Sequence, residues 1–525
     1  MATVEDIFLQ ELLRVFNNTG GGGVAYGGTG QTGTITGNPT GGSTQSPGST
    51  DPYAGITVVY NPVKDQMTTV DSSLLLSVTT AEGVPIFYGE EMVLNLSPRI
   101  VQGEELILYL SPAPKVVQGE ELILYLSPAP KVVQGEELIL HLSPAPEGGV
   151  HGTIQRRDKL GVLQIVEFNI ASDANDILSG NGILDGRAGN DGLTGGVGND
   201  TLDGGTGNDW LDGGAGGDVL DGGAGWDVVS YQSATGGVAV DLTTNANGGA
   251  AAGDTLSNIE VVQGSNFDDT LIGVHRGGGH GVELHGEGGN DHMRGAAGGD
   301  RLYGGAGNDW IAGLEGTDII DGGDGNDVVG GQEGNDTLSG GAGDDELWGG
   351  SGDDIAHGDA GNDAIRGEDG NDKLYGDAGN DWIAGQGGND FVDGGEGNDV
   401  VGGQEGNDTL NGGSGSDELW GGSGADWFLF DTPLSAGADR IMDFSAAEGD
   451  MIILNRNVFS ALGIGLLSSS AFKVGAATST SHKILYNSYT GDLSYDVDGW
   501  GAAAAIKIAQ LNPGTALSAS NFFIV

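Results

Sequence analysis

The feature that most limits what this chain can fold into is a phrase of nine residues repeated through its second half. It stands out in Gly322-Gly323-Asp324-Gly325-Asn326-Asp327-Val328-Val329-Gly330 and again in Gly394-Gly395-Glu396-Gly397-Asn398-Asp399-Val400-Val401-Gly402. Its aspartates recur at every ninth position from Asp291 to Asp426 without a slip. Neither an amphipathic helix nor an isolated strand has that period. Glycines at the first, second and fourth positions let the backbone enter conformations closed to other residues and approach a ligand closely. The aspartate at the sixth position supplies a hard carboxylate oxygen. Only the residue two places later points to a core: Val329, Leu338, Leu347, Ile365, Leu374, Ile383, Val392, Val401, Leu410, Leu419. One such side chain per phrase cannot offset the ordering of the backbone, at roughly 1–2 kcal/mol per residue. Something other than a hydrophobic core must hold the array.

Calcium fits that role, because it takes about six to eight oxygens from carboxylates and backbone carbonyls. With a six-residue turn and a three-residue strand per phrase, two phrases close one coil of eighteen residues. Aspartates i and i+18 then stack on one edge, with each ion between successive turns. The pattern resembles the repeats-in-toxin (RTX) family, whose Gly-Gly-x-Gly-x-Asp-x-aliphatic-x nonapeptide builds a calcium-filled parallel β-roll. The resemblance implies an all-β fold, a calcium-bound solenoid, with several Ca²⁺ ions. The aspartates expected to ligate them are Asp191, Asp200, Asp209, Asp218 and Asp227 in a first block and Asp269 where the array resumes. In the main block they are Asp291, Asp300, Asp309, Asp318, Asp327, Asp336, Asp345, Asp354, Asp363, Asp372, Asp381, Asp390, Asp399, Asp408, Asp417 and Asp426. A disordered Gly/Asp/Asn tract gives no reason for the phase of the aliphatic position, but it is the expected state without calcium.

Acidic residues number 75 against 19 basic ones, a net charge of −56. A compact metal-free chain would repel itself. The same charge argues against nucleic acid, which needs a basic footprint, and against anionic membrane surfaces. There is no cysteine, and bound metal can replace disulfides as the staple of a core-poor domain. No stretch reaches the roughly 20 apolar residues of a membrane helix, so no membrane insertion is expected. Met1 to Asn18, carrying Glu5, Asp6 and Glu11, does not read as a secretory signal. The RTX resemblance implies another route, type I secretion from Gram-negative cells directed by an uncleaved C-terminal signal. Asn521-Phe522-Phe523-Ile524-Val525 is similar to such signals, with Asn521 where an acid is usual.

In chain order, residues 1–18 hold an amphipathic helix from Thr3 to Phe16, and 19–52 a Gly/Thr/Ser-rich linker. Residues 53–148 are β-rich, with Gly-Glu-Glu phrases starting at Gly89, Gly103, Gly119 and Gly135. Their strands are apolar on both faces and need cover on both sides. A β-sandwich-like domain and a three-chain shaft similar to viral fibre stalks both supply it. A bridging segment, 149–175, contains Leu163-Gln164-Ile165-Val166-Glu167-Phe168, a strand expected to cover the first open coil. The first block spans 176–227, a spacer 228–268 and the main roll 269–427. Residues 428–525 resemble the cap of serralysin-like RTX proteins, with a hairpin turning at Thr490-Gly491.

His275, His280, His285 and His292 are spaced without obvious convergence, so solvated loop histidines are the plainer account of them than a transition-metal site. The main roll contains its own duplication: Asn308-Asp309-Trp310-Ile311-Ala312-Gly313 recurs as Asn380-Asp381-Trp382-Ile383-Ala384-Gly385, and Glu346-Leu347-Trp348-Gly349-Gly350 as Glu418-Leu419-Trp420-Gly421-Gly422. The tryptophans either cover apolar edge surface or bind a surface glycan or protein partner. His-Glu-x-x-His, Gly-x-Ser-x-Gly and a Walker-type loop are all absent, so no enzyme and no catalytic residues are expected. Two classes remain. One is a secreted or surface-displayed calcium-folded structural or adhesive protein, and the other a trimeric fibre or appendage subunit of a cell surface or virion. An RTX enzyme or toxin with an unrecognised N-terminal activity ranks third.

Overall fold

The structure is a computed structural model. It describes residues 171–275 and 280–525, preceded by the strands Thr57–Val58, Val78–Thr79, Met92–Leu96, Leu122–Leu126, Glu137–Pro144, Val150–Arg157 and Leu163–Ile170. The expected helix and the linker after it lie outside the described residues. The chain divides into two compact units, Met1–Gly207 and Asn208–Val525.

In the first unit Met92–Leu96 runs parallel to Leu122–Leu126, and the sheet continues antiparallel through Glu137–Pro144, Val150–Arg157 and Leu163–Ile170. The strands Met92–Leu96, Leu122–Leu126 and Glu137–Pro144, which belong to three of the Gly-Glu-Glu repeats, thus share one sheet. The short connections after Glu137–Pro144 and Val150–Arg157 make those successive strands antiparallel neighbours. Leu163–Ile170 then lies parallel to Ile183–Asp185, with Phe168 opposite Ile183. Beside it, Ile177–Ser179 pairs with Gly192–Val197 and Ile183–Asp185 with Thr201–Asp203, both parallel.

The second unit is an all-β parallel solenoid. Residues Trp310, Val328, Glu346, Ala364, Trp382, Val400 and Glu418 stand opposite one another in successive strands of one ladder. Arg301, Ile319, Thr337, Ile355, Lys373, Phe391, Thr409 and Trp427 do so in the other. Each step is two phrases, as the eighteen-residue coil requires. The strands are often longer than the three residues expected, as in Val328–Gly334 and Thr337–Ala342. Identical turns stacked in register place turn N–H beneath turn carbonyl, so the ladder runs on: Gly325 N–H donates to Ala342 O at 2.7 Å.

The core is one column of side chains per ladder. Val329, Leu338, Leu347, Ile365, Leu374 and Ile383 are at most 1% exposed, and Ala356 occupies the same place in its phrase. The fourth glycine explains the tightness of the coil. Gly325 sits at φ +136°, and a Cβ there would lie 1.7 Å from the carbonyl oxygen of Gly307 in the preceding coil. Position two keeps a left-handed backbone even where glycine is replaced, as at Leu314 (φ 89°) and Gln332 (φ 85°).

The break of period over 228–268 leaves one ladder intact and divides the other, which ends at Thr255–Ser257 and begins anew with Val238–Asp241. Val228–Ser230 pairs with Val261–Gln263, Val219–Asp221 with Thr255–Ser257, and Val238–Asp241 with Thr270–Ile272. The extra residues are accommodated in loops and in a short antiparallel excursion, Val238–Asp241 with Gly248–Gly249. At the C-terminal side Trp427–Phe430, Met451–Leu454 and Phe522–Ile524 extend one ladder, and Asp439–Ile441 and Ile506–Leu511 the other. Ile484–Tyr486 and Asp492–Tyr495 form the hairpin expected at Thr490-Gly491, with Gly491 at φ +78°. Here Phe428, Phe459, Tyr486 and Phe522 are buried, and a conventional apolar core replaces the one-residue column. Among the described residues the helical content is the single 3₁₀ turn Ala519–Asn521.

A candidate calcium-binding ladder

Each motif aspartate of the main roll is buried, and its two carboxylate oxygens have different surroundings. Oδ1 accepts from the backbone N–H of the aspartate one coil back: Asp309 N–H to Asp327 at 2.7 Å, Asp327 N–H to Asp345 at 2.7 Å, Asp345 N–H to Asp363 at 2.8 Å. On the other edge Asp318 donates to Asp336 and Asp336 to Asp354. The expected stacking of aspartates i and i+18 is therefore a hydrogen-bonded ladder.

Oδ2 is buried and meets no donor at Asp291, Asp309, Asp318, Asp327, Asp336, Asp345, Asp354, Asp363, Asp372, Asp381, Asp390, Asp399, Asp408, Asp417 and Asp426. It faces the first glycine of its own phrase. A Cβ on Gly322 would lie 2.5 Å from Asp327 Oδ2 and 2.6 Å from the carbonyl oxygen of Gly340, and one on Gly358 would lie 2.4 Å from Asp363 Oδ2 and 2.9 Å from Gly376 O. A carboxylate oxygen and a glycine carbonyl from the next coil thus converge on a space kept free by the missing side chain. A buried acceptor without a donor is costly, and these acceptors recur in every phrase from Asp291 to Asp426 except that of Asp300.

Electrostatics sharpens the requirement. Burial pushes Asp327 up to about 7, against the Asp309 backbone N–H that lowers it, and the neighbouring carboxyls of Asp309 and Asp345 raise it further. Asp318, Asp354, Asp363, Asp399 and Asp408 are pushed up to about 7 by burial in the same way. Stacked buried carboxylates stay ionised near neutral pH only with a cation beside them. Among the described residues no three His, Asp or Glu side chains converge on one point. The donor set is one carboxylate oxygen with glycine carbonyls, all hard oxygens. That set suits Ca²⁺ and not a transition metal. Bound there, the ion would supply positive charge to the Oδ2 atoms and carbonyls and join neighbouring coils.

The expected residues do not all share this environment. At Asp200, Asp269 and Asp300 the second oxygen receives a backbone N–H, from Gly196 (2.9 Å), Ser265 (2.6 Å) and Ala296 (2.6 Å). These carboxylates are clasped by their own turns. In each case the donor is the residue at position two of the phrase, the consensus glycine at Gly196 and a replacement at Ser265 and Ala296. In the first block Asp191 Oδ1 accepts from Asp176 N–H at 2.7 Å, and Asp227 Oδ1 from Asp209 N–H at 2.8 Å, while Asp218 N–H donates to Asp254.

Asp254 and Glu260, in the spacer, were not among the expected residues. They continue the ladder by accepting from Asp218 N–H and Asp227 N–H, each at 2.8 Å. Glu260, 33 residues from Asp227, is out of phase, whereas Asp254, 36 residues from Asp218, keeps the nine-residue phase but stands in Gly249-Ala250-Ala251-Ala252-Gly253-Asp254, which lacks the glycines of the phrase at positions two and four. The Asp254 second oxygen takes the Tyr231 hydroxyl at 3.0 Å. Asp439 and Asp450 play the same part beyond the last phrase, accepting from Asp417 N–H and Asp426 N–H. The recurrent Asn at position five has a role too. Asn398 N–H donates to Asn380 Oδ1, and Asn380 N–H to Asn362 Oδ1, an outer ladder parallel to that of the aspartates. Of the histidines, His285 stacks on Tyr303 and bonds Glu283, His292 stacks on Trp310, and His275 Nδ1 bonds Ala297 O. Each is engaged separately, and the His280 side chain lies outside the described residues.

Fold and site together define a calcium-binding structural repeat protein, a parallel β-solenoid with a ladder of buried carboxylates. More particularly, the chain carries RTX calcium-binding nonapeptide repeats. The model of that repeat matches residues 176–211, 203–232, 282–302, 294–329, 330–365, 366–401 and 402–431. No curated protein matches the chain. Among solved structures it is similar to the solution structure of the AlgE6R3 subunit of the Azotobacter vinelandii mannuronan C5-epimerase, at 27% identity over 30% of this chain and 79% of that one, with a TM-score of 0.20.

Proposed function

We propose that this is a non-catalytic extracellular protein, structural or adhesive, whose roll folds when it binds Ca²⁺. The observation that carries the proposal is the run of buried Oδ2 atoms facing glycine carbonyls with no protein donor. A net charge of −56 and carboxyls crowded at each coil oppose folding without cations. Extracellular acidic modules bind calcium at roughly 10⁻⁴–10⁻³ M, so the chain would stay unfolded in a calcium-poor cytosol and fold outside the cell. Type I secretion would suit such a chain, with 428–525 as roll cap and export signal. Among the described residues no helix is long and apolar enough to cross a membrane. The test is circular dichroism of the full chain during calcium titration from excess chelator. Strand signal should appear with calcium and vanish on chelation; a roll equally folded in chelator overturns the proposal.

A further inference from the structure

The outer side of one ladder carries the same six-residue patch twice. In the first copy Trp310 and Ala312 stand on one strand, Val328 and Gly330 on the next, and Glu346 and Trp348 on the third, with Trp310 opposite Val328, Ala312 opposite Gly330 and Gly330 opposite Trp348. In the second, Trp382 and Ala384, Val400 and Gly402, and Glu418 and Trp420 repeat the set in the same register. These residues alternate with the buried Ile311, Val329 and Leu347 and so lie on the outer face. Four coils separate the copies, about 19 Å at the usual strand spacing.

Each patch is aromatic and amphipathic. Trp310, Trp382 and Trp420 are 38%, 41% and 42% exposed, whereas Ala312 and Ala384 beside them are buried. Room remains over the central glycines: a Cβ on Gly330 would have no neighbour within 4 Å, and one on Gly402 would meet only backbone oxygens at 3.8 and 4.0 Å. Each copy also holds an ion pair at its rim, Glu346 with Arg366 at 2.8 Å and Glu418 with Arg440. The Arg366 guanidinium lies 5.0 Å from the Trp382 ring centre and 5.8 Å from that of Trp348. The 72-residue duplication explains the shared floor and acid, but Arg366 and Arg440, 74 residues apart, are not part of it and each still pairs with the acid of its own patch.

We infer that the two patches bind one extended, uncharged polysaccharide. The apolar C–H surface of a sugar ring fits against indole, and its hydroxyls can pair with the Glu and Arg groups at the rim. A ligand that itself repeats is the natural occupant of two patches of the same composition in line, because the second contact is intramolecular once the first is made. Polyanionic glycans and nucleic acids are disfavoured by the acidic chain around the patches. The inference rests on the adhesive form of the proposed function, naming its partner class.

The test uses the full calcium-loaded chain in affinity electrophoresis through gels containing uncharged polysaccharides (a mixed-linkage β-glucan, a galactomannan, a dextran) or anionic ones (alginate, hyaluronate). Calcium-dependent circular dichroism is recorded for the parent chain and every variant, so loss of the fold in a variant is distinguished from loss of binding, and a parent roll equally folded in chelator overturns the proposed function instead. At least one uncharged polymer should retard the protein. Trp348→Ala or Trp420→Ala alone should weaken binding at least tenfold, and the double variant should abolish it. Gly330→Val with Gly402→Val, which fills both patches without touching the aspartate ladder, should do the same. Retardation by anionic polymers alone, no retardation by any polymer, binding unchanged in either double variant, or self-association abolished by those variants would each overturn the inference.

Discussion

The first glycine of the phrase separates coordination from backbone conformation. Gly340 does not require a left-handed backbone, yet a Cβ there would sit 2.5 Å from Asp345 Oδ2 and 2.9 Å from the carbonyl oxygen of Gly358. Gly340→Ala therefore places a methyl group where those two oxygens converge and should remove one calcium position from the middle of the array. At free calcium about a hundredfold above the dissociation constant, one lost site costs about 2.7 kcal/mol of folding free energy. The loss falls on two interfaces, because a coil in a solenoid leans on both neighbours. Gly330→Ala is the control: its Cβ has no neighbour within 4 Å, and its effect should lie between neutral and a gain of about 1 kcal/mol. The assay is denaturant unfolding in saturating calcium, with hydrogen exchange of peptides spanning Asp327 and Asp345, whose backbone-to-carboxylate bond of 2.7 Å reports on that coil. Protection should fall there in Gly340→Ala and stay in Gly330→Ala, and bound calcium should drop only in the former. Equal behaviour of the two variants in calcium would refute a coordinating role for this space.

In chelator, lowering the pH from about 7.5 to about 4.5 should restore strand signal, as read by circular dichroism. Asp318, Asp327 and Asp354 are raised from 3.8 to about 7 in the metal-free fold, so the folded state binds more protons than the unfolded one between those values; its stability is present below that window and lost as pH rises through it. A signal that only weakens on acidification would contradict this. Asp354→Asn should lower calcium stoichiometry by direct metal analysis, whereas Asp300→Asn should leave it unchanged, since Ala296 N–H already takes that second oxygen. Leu314→Gly should raise the unfolding midpoint in calcium by the equivalent of about 1 kcal/mol, the cost of a non-glycine residue in the left-handed region. An unchanged or lower midpoint would mean that Leu314 packing outweighs its strain.

The period alone determined much of this protein. A nine-residue repeat with one carboxylate, one aliphatic position and glycines in fixed places admits few folds, and the eighteen-residue coil, the buried column from Val329 to Leu419 and the stacking of aspartates all follow from it. Even the return of Trp310 as Trp382 to one face is arithmetic on an even number of phrases. Tertiary structure decided what periodicity cannot encode. Glu260 enters the ladder because loops of irregular length bring it beneath Asp227, and a loop's length carries no phase; Asp254 keeps the phase, 36 residues from Asp218, without the glycine phrase around it. Asp200, Asp269 and Asp300 look like their neighbours in sequence, yet their second oxygens are taken by N–H groups of their own turns. Whether a carboxylate oxygen is free for a cation depends on where one backbone N–H points, and that is set by the packing of adjacent coils rather than by residue type.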